Sequence, residues 1–271
     1  MELCLITDKV DFASEAEAAG VERIMLDLEK RGKLQRQIGR DLFISDHVIE
    51  SVPRMRAALQ RACLVVRVNP LNYESCEEID AVIEARADFI MLPYFHAIDE
   101  VRTFRSLVNA RAKTILLVET KSAVEILPAL AEERLSDEVH FGLNDLRISL
   151  GHKTIFAPLG NGMIENLSAL LGREKIPFGF GGIARLSNAG LPVNAERVLA
   201  EQVRLGAGIG WLGRTFRGKM ETQRRPGELA TEVDLIRKAI NKWESASAEA
   251  FFENRNILLK EVAAWETSSS A

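Results

Sequence analysis

TILLVET (114–120) and VHFGLNDL (139–146) each run from branched or aromatic apolar residues into an acid, Glu119 in the first and Asp145 in the second. Continuous rather than alternating hydrophobicity marks strands buried on both faces, as in a parallel sheet. A carboxylate just past such a strand is costly without a partner, so two of them point to a shared cation. Comparable apolar runs lie at 3–6, 24–28, 64–68 and 89–92, and two weaker, glycine-rich ones at 177–183 and 208–213, which makes eight. Amphipathic stretches at 77–86, 98–109, 123–133, 163–175 and 194–205 separate them as crossover helices would. Alternating strand and helix favours right-handed βαβ units. Eight such units in a chain of this size fit an α/β fold of the (β/α)8 TIM-barrel type, whose site sits at the C-terminal ends of the strands. A doubly wound open sheet is the alternative.

The barrel is expected over 1–225, followed over 226–271 by a C-terminal helical extension. Leu235, Ile236, Ile240, Trp243, Phe251, Phe252, Ile257, Leu258, Val262 and Trp265 fall on the apolar faces of those helices. Such a surface must be covered, either by the chain's own barrel or by a neighbouring subunit. The closing TSSSA (267–271) reads as disordered.

The 271 residues carry a formal charge of −4, and no basic run stands without acids nearby, so the footprint of a general nucleic-acid binder is missing. Small molecules are the expected partners. Cys4, Cys63 and Cys76 are odd in number and lack metal-ligand spacing, which argues against a disulfide framework and a structural zinc, and fits a reducing cytoplasm. MELCLITDKV (1–10) has no basic leader region, and no window reaches the roughly 18 apolar residues of a membrane span.

In a barrel the polar residues at strand ends converge on one axis. Here they are Asp27, Glu29 and Lys30 from IMLDLEK (24–30), Arg67 and Asn69 from VVRVNP (65–70), then Glu119, Asn144 and Asp145. Glu119 and Asp145 would stand on neighbouring strands, where both could reach one octahedral Mg²⁺ or Mn²⁺ that keeps several waters. The plainer alternative is that each caps a helix or pairs with a base. Arg67 lies inside an apolar run, where it can pair with Asp27 or Glu29 and also present a fixed fork of donors to a carboxylate or a developing enolate oxygen. Lys30 sits among polar residues and reads as a solvated loop lysine rather than a Schiff-base amine. Of His47, His96, His140 and His152, the first stands where a loop becomes a helix and is the leading acid–base candidate. GFGGIARL (179–186) and GIGWLGRTF (208–216) place glycines at the last two strand ends, with Arg185 and Arg214 suited to an anion, although tight barrel packing would ask for the same glycines.

IMLDLE (24–29), VVRVNPL (65–71), ADFIMLPYF (87–95), LLVETKSAVEIL (116–127) and VHFGLNDLRISLG (139–151), in this order and spacing, resemble the HpcH/HpaI aldolase and citrate-lyase β-subunit family. The resemblance implies a TIM barrel with a divalent metal, Mg²⁺, Mn²⁺ or Co²⁺, that chelates pyruvate or a similar 2-keto acid. It assigns the metal to Glu119 and Asp145, the active-site arginine to Arg67, and the N–H groups that hold the substrate carboxylate to Asn144 and Asp145. It also implies a homo-oligomer, a trimer or hexamer with exchanged C-terminal helices. IPFGFGGIARL (176–186) is similar to a branch associated with polysaccharide or sugar-acid biosynthesis. One departure matters: the family's aldolases carry a histidine base directly after the strand-two acid and its citrate lyases an aspartate, whereas this chain has Lys30. His47 or Glu29 would have to substitute. The expected function is a divalent-metal-dependent carbon–carbon lyase of the class II aldolase type, acting on a 2-keto acid and an aldehyde, a sugar acid among the candidates. Two alternatives stay open: an acyl-CoA lyase with Lys30, Arg31, Lys33 and Arg36 around the CoA phosphates, and a non-catalytic keto-acid-binding or scaffold barrel.

Overall fold

The computed structural model describes residues 1–33, 46–223 and 225–268. Eight strands, β1 (Glu2–Ile6), β2 (Arg23–Asp27), β3 (Cys63–Arg67), β4 (Phe89–Leu92), β5 (Lys113–Val118), β6 (Glu138–Phe141), β7 (Phe178–Ile183) and β8 (Ile209–Leu212), close into one barrel in sequence order. Every neighbouring pair is parallel, and β1 pairs with β8 through Glu2↔Ile209 to Leu5↔Leu212, which excludes the open sheet. The strand boundaries shift by a residue or two from the apolar runs: Leu28 and Val68 lie just past their strands, and Gly142 is the N-cap of the next helix.

Among the described residues the crossover helices are α1 (Val10–Ala18), α2 (Ser51–Ala58), α3 (Ser75–Glu84), α4 (Ile98–Val108), α5 (Lys121–Glu132), α6 (Leu143–Ser149), α7 (Ala157–Gly160), α8 (Met163–Glu174) and α9 (Ala195–Leu205). Two apolar layers result. Outward-facing strand residues pack under the helices, and a smaller inner layer of Cys4, Met25, Val65, Phe89, Met91, Ile115, Leu117, Ile209 and Trp211 fills the lumen. After β8 come α10 (Arg214–Arg217), α11 (Met220–Gln223), α12 (Glu228–Glu244) and α13 (Ala248–Ser268). Helix α12 packs on α1 and α9, and α13 on α7 and α9, so both lie against their own barrel. Ile236, Ile240, Trp243, Leu258 and Val262 are buried there, whereas Leu235, Phe252 and Ile257 remain exposed. Thr267 and Ser268 continue α13 instead of fraying, and 269–271 lie outside the described residues.

A polar plug that starts at the N-terminal end of the barrel reaches up into the inner apolar layer through His140 and Trp211. The Arg23 guanidinium donates to both Glu138 oxygens at 2.7 and 2.9 Å and to Glu2 at 2.6 Å. The Trp211 indole N–H donates to His140 Nδ1 at 2.7 Å, and His140 Nε2 stands 3.2 Å from Glu138. An indole can only donate, so Nδ1 must accept and Nε2 carries the proton given to Glu138. His140 is therefore a structural member of this plug. Burial pushes the Glu138 carboxyl up, but the bonds from His140 and Arg23 outweigh it and hold the group down at about 2. Because the folded value lies below the ordinary 4.5, the stability Glu138 contributes is complete above that pH and drains as pH falls through about 2. Glu138→Gln should cost about 3 kcal/mol at pH 7 by leaving the buried Arg23 only the half-exposed Glu2 as its counter-charge, with a smaller difference from wild type at pH 3, as read by urea unfolding at both pH values.

Candidate active site

The register of the sheet sets the first element of the site. Asp27 ends β2 and Arg67 ends β3, and the two are direct partners across the pair. Their side chains meet in a two-pronged bond, Arg67 Nε to Asp27 Oδ1 at 2.8 Å and a terminal nitrogen to Oδ2 at 2.6 Å. Lys33 Nζ donates to Asp27 Oδ2 at 2.9 Å and stands 3.1 Å from Glu29 Oε2, which is also 3.4 Å from Arg67 Nε. All four residues are buried, two acids against two bases. Burial opposes charge on Asp27, yet Arg67 and Lys33 hold its carboxyl far below the ordinary carboxylate range. The same logic holds the Arg67 guanidinium above its usual value, burial being outweighed by Asp27 and Glu29.

The turn after β2 delivers Lys33 and turns Lys30 away. Asn69 Oδ1 accepts from the N–H groups of Lys30 and Arg31 at 2.9 and 3.0 Å, and Asn69 is itself anchored to Glu78. Lys30 is exposed. Arg31 pairs with Glu74 and lies over the Tyr73 ring. The four basic residues considered for CoA phosphates are thus not gathered: Lys30 and Arg31 face outward, Lys33 is locked inside, and Arg36 lies outside the described residues.

Glu119 and Asp145 complete the mouth on the β5 and β6 side. Thr120 caps α5, accepting from the Ala123 N–H at 3.0 Å, which fixes the strand-to-helix corner at Glu119. Glu119 is 2 % exposed and accepts from the Tyr94 N–H at 3.0 Å, where Tyr94 holds a left-handed φ of 49°. A Cβ on Gly142 would come within 2.6 Å of Glu119 Oε2, so glycine there leaves room for the carboxylate. Asn144 and Asp145 sit in the first turn of α6, where backbone N–H groups have no intrahelical acceptor. Asn144 Oδ1 accepts from Arg147 Nε at 3.2 Å.

Lys33, Arg67, Glu119, Asn144 and Asp145 all line one cavity of about 610 Å³ at the C-terminal mouth of the barrel. Arg214 also lines it, whereas Arg185 is paired with Glu228 outside it. His47 is not part of the lining. Its Nδ1 accepts from the Asp27 N–H at 2.9 Å and its Nε2 faces Asp8 at 3.8 Å, so it supports the backbone that carries Asp27. Burial lowers the pKa of its ring, against the pull of Asp8 and Asp27. His96 lies beside Ser122 and His152 beside Glu266, neither on the cavity wall. Lys33 is the functional candidate that sequence reasoning placed elsewhere, and Trp265, from α13, is a second lining residue that only the tertiary fold reveals.

Among the described residues, no group of three or more histidine, cysteine or acidic side chains is arranged to hold a metal ion. The hard oxygen pair of Glu119 and Asp145, both opening on one cavity, still suits a cation that retains water in most of its coordination sphere. No helix among the described residues is long and apolar enough to cross a membrane.

A closed parallel barrel with acids and an arginine at its C-terminal mouth defines a (β/α)8-barrel protein with an enzyme-type site. Residues 3–161 match the HpcH/HpaI aldolase/citrate lyase family, and the chain belongs to that family. Among solved structures it is similar to an HpcH/HpaI aldolase from Desulfitobacterium hafniense DCB-2, at 14 % identity and a TM-score of 0.60, covering 91 % of this chain and 94 % of that one. It is also similar to an HpcH/HpaI aldolase/citrate lyase family protein from Burkholderia cenocepacia J2315, at 15 % identity and a TM-score of 0.61 over 90 % and 95 % of the two chains. A third likeness is RipC from Yersinia pestis, at 14 % identity and a TM-score of 0.58 over 92 % and 97 %. No curated protein sequence matches.

The two lysines of the turn separate cleanly in their expected effects. Lys33→Met should destabilise the protein by about 3 kcal/mol by taking a buried base away from Asp27 and Glu29, whereas Lys30→Met should stay within about 0.5 kcal/mol. Denaturant unfolding of the two variants checks the assignment, and equal losses would overturn it.

Proposed function

We propose that this protein is a divalent-metal-dependent carbon–carbon lyase that acts on a pyruvate-derived 2-keto acid, releasing or adding an aldehyde. The observation that carries the reading is the convergence of Glu119, Asp145 and Arg67 on one cavity at the barrel mouth. Glu119 and Asp145 are the residues that would hold the cation, Mg²⁺, Mn²⁺ or Co²⁺, consistent with their oxygen donors. When bound, such a cation would supply Lewis-acid polarisation of the keto oxygen.

The chain's own residues do the rest. Arg67 cannot swing, because Asp27 grips it with two bonds, so its remaining donors form a preorganised charge for the oxyanion that develops on cleavage. The first-turn N–H groups of Asn144 and Asp145 are suited to the substrate carboxylate. The proton of the aldol hydroxyl has Glu29 as its acceptor. Lys33, on the cavity wall and 3.1 Å from Glu29, stands between them and can hand Glu29 one proton as it accepts another. His47 serves this machinery as a positioning residue through the Asp27 backbone. The exposed Phe252 and Ile257 on α13 support a homo-oligomer, with the trimer or hexamer of the family as the proposed form.

The reading is tested by ¹H NMR of pyruvate in D₂O with the purified protein, comparing EDTA-treated samples with samples given Mg²⁺, Mn²⁺ or Co²⁺. Metal-dependent loss of the methyl signal is expected; no exchange under any metal would sink it in favour of an acyl-CoA lyase or a non-catalytic barrel. Glu119→Gln and Asp145→Asn should fold normally and lose Mn²⁺ binding by calorimetry together with turnover. Arg67→Ala should lower kcat by about 10²- to 10³-fold, and an effect confined to KM would reduce Arg67 to a binding role.

A further inference from the structure

The cavity is far larger than a three-carbon keto acid requires: its volume of about 610 Å³ lies in the range of roughly 300–1,000 Å³ that holds drug-sized ligands. Its lining is divided. Lys33, Arg67 and Glu119 come from the ends of β2, β3 and β5, with Asp145 beside them after β6. Across the mouth, in a barrel of eight strands in sequence order, β7 lies opposite β3. On that side the wall is Phe156, Leu191, Val193, Val198 and Trp265. Arg214, Thr215 and Arg217, after β8, are the polar lining between the two regions.

The apolar wall is built and held. Gly182 has a φ of 108°, and a Cβ there would come within 2.6 Å of the Phe156 ring, so glycine lets that ring close on the strand end. Trp265 stacks at a tilt on Phe156 with ring centroids 6.2 Å apart. The helix carrying Trp265 is fixed by Glu266, which accepts from the N–H groups of Lys153 and Thr154 at 2.9 and 2.8 Å and from the Thr154 hydroxyl at 2.8 Å. Val262 fills the space left by the missing side chain of Gly160 one turn earlier.

We infer that this wall is a binding subsite for an extended apolar arm, so that the substrate class is a 2-keto acid, or its aldol, with an alkyl or aryl chain rather than a polyhydroxylated sugar acid. The inference deepens the keto-acid reading above and rests on it for the charged end. Hydroxyl groups pressed on Phe156, Leu191, Val193 and Trp265 would lose their water without gaining partners, whereas each methylene removed from water there gains free energy.

The test is calorimetric titration of the full-length protein with Mn²⁺ present, using pyruvate, 2-oxopentanoate, 2-oxooctanoate, a six-carbon 2-keto-3-deoxy sugar acid, and butyrate and octanoate as acids without a keto group. Affinity should rise by about fourfold per methylene along the keto-acid series, and the sugar acid should bind more weakly than the alkyl acid of similar length. Trp265→Ala should flatten that slope, and Leu191→Ser, in a loop, should flatten it without the risk of unseating α13. Pyruvate binding with no dependence on chain length, tighter binding of the sugar acid, or no binding at all would each overturn the inference. If octanoate gains over butyrate while no keto acid is preferred, the apolar subsite stands and the keto-acid reading fails instead.

Discussion

Two carboxylates and two cations, all withdrawn from water at the ends of β2 and β3, impose the constraint on which the mouth of this barrel depends. Asp27 and Glu29 are held in that position by Arg67 and Lys33, and each cation is buried against the two carboxylates in turn. The mutual dependence is severe because each member is held by more than one other: Asp27 by Arg67 and Lys33, Glu29 by the same pair. A set with this much internal support has one arrangement. It therefore turns the Arg67 guanidinium from a flexible surface charge into a rigid part of the cavity wall, and it draws the turn after β2 inward at Lys33.

The barrel divides its interior by polarity along the axis. At the N-terminal end, Arg23, Glu138, His140 and Trp211 form a plug in which the indole N–H sets the tautomer of the imidazole. Met25, Ile115 and Leu117 of the inner apolar layer lie between the charged members of the plug and the mouth, while Trp211 reaches the cavity wall. The separation matters electrostatically, since charges in a low-dielectric interior act over longer distances than charges in water. The upper group, two acids against two bases, is balanced in charge, and so disturbs the lower one less than a group of net charge would. The lower one serves stability, while the upper one shares its cations with the cavity.

How much of this the sequence disclosed depends on whether the information was local. The runs ending in Glu119 and Asp145 are legible because strand burial and the strand-end acid sit within seven or eight consecutive residues, and the barrel follows from their repetition. The pairing of Arg67 with Asp27 was also open to reading, since a guanidinium inside an apolar run needs a carboxylate and adjacent strands supply one. Lys33 was not legible: periodicity says nothing about which side of an irregular turn faces inward, and the Asn69 carboxamide that turns Lys30 out is 39 residues away. His47 is the leading acid–base candidate in sequence because it stands where a loop becomes a helix, but its ring bonds the backbone of Asp27 rather than reaching the cavity. Trp265 reads in sequence as one more apolar position on a terminal helix. Its place in the cavity wall comes from Glu266, whose partners lie 112 and 113 residues earlier in the chain.

That last link joins the chain's end to its chemistry. The segment of 152–154 lies between α6, which carries Asn144 and Asp145, and α7, which receives Val262 at Gly160. By tying this segment to α13, Glu266 couples the position of the apolar wall to the helix that presents Asp145. Burial pushes the Glu266 carboxyl up, but the N–H groups of Lys153 and Thr154 prevail and hold it below its ordinary value, so the clamp stays ionised and intact through the neutral range and weakens only as acid protonates it. The terminal helix is then a structural part of the cavity, joined by one clamp to the segment that follows the helix of Asp145.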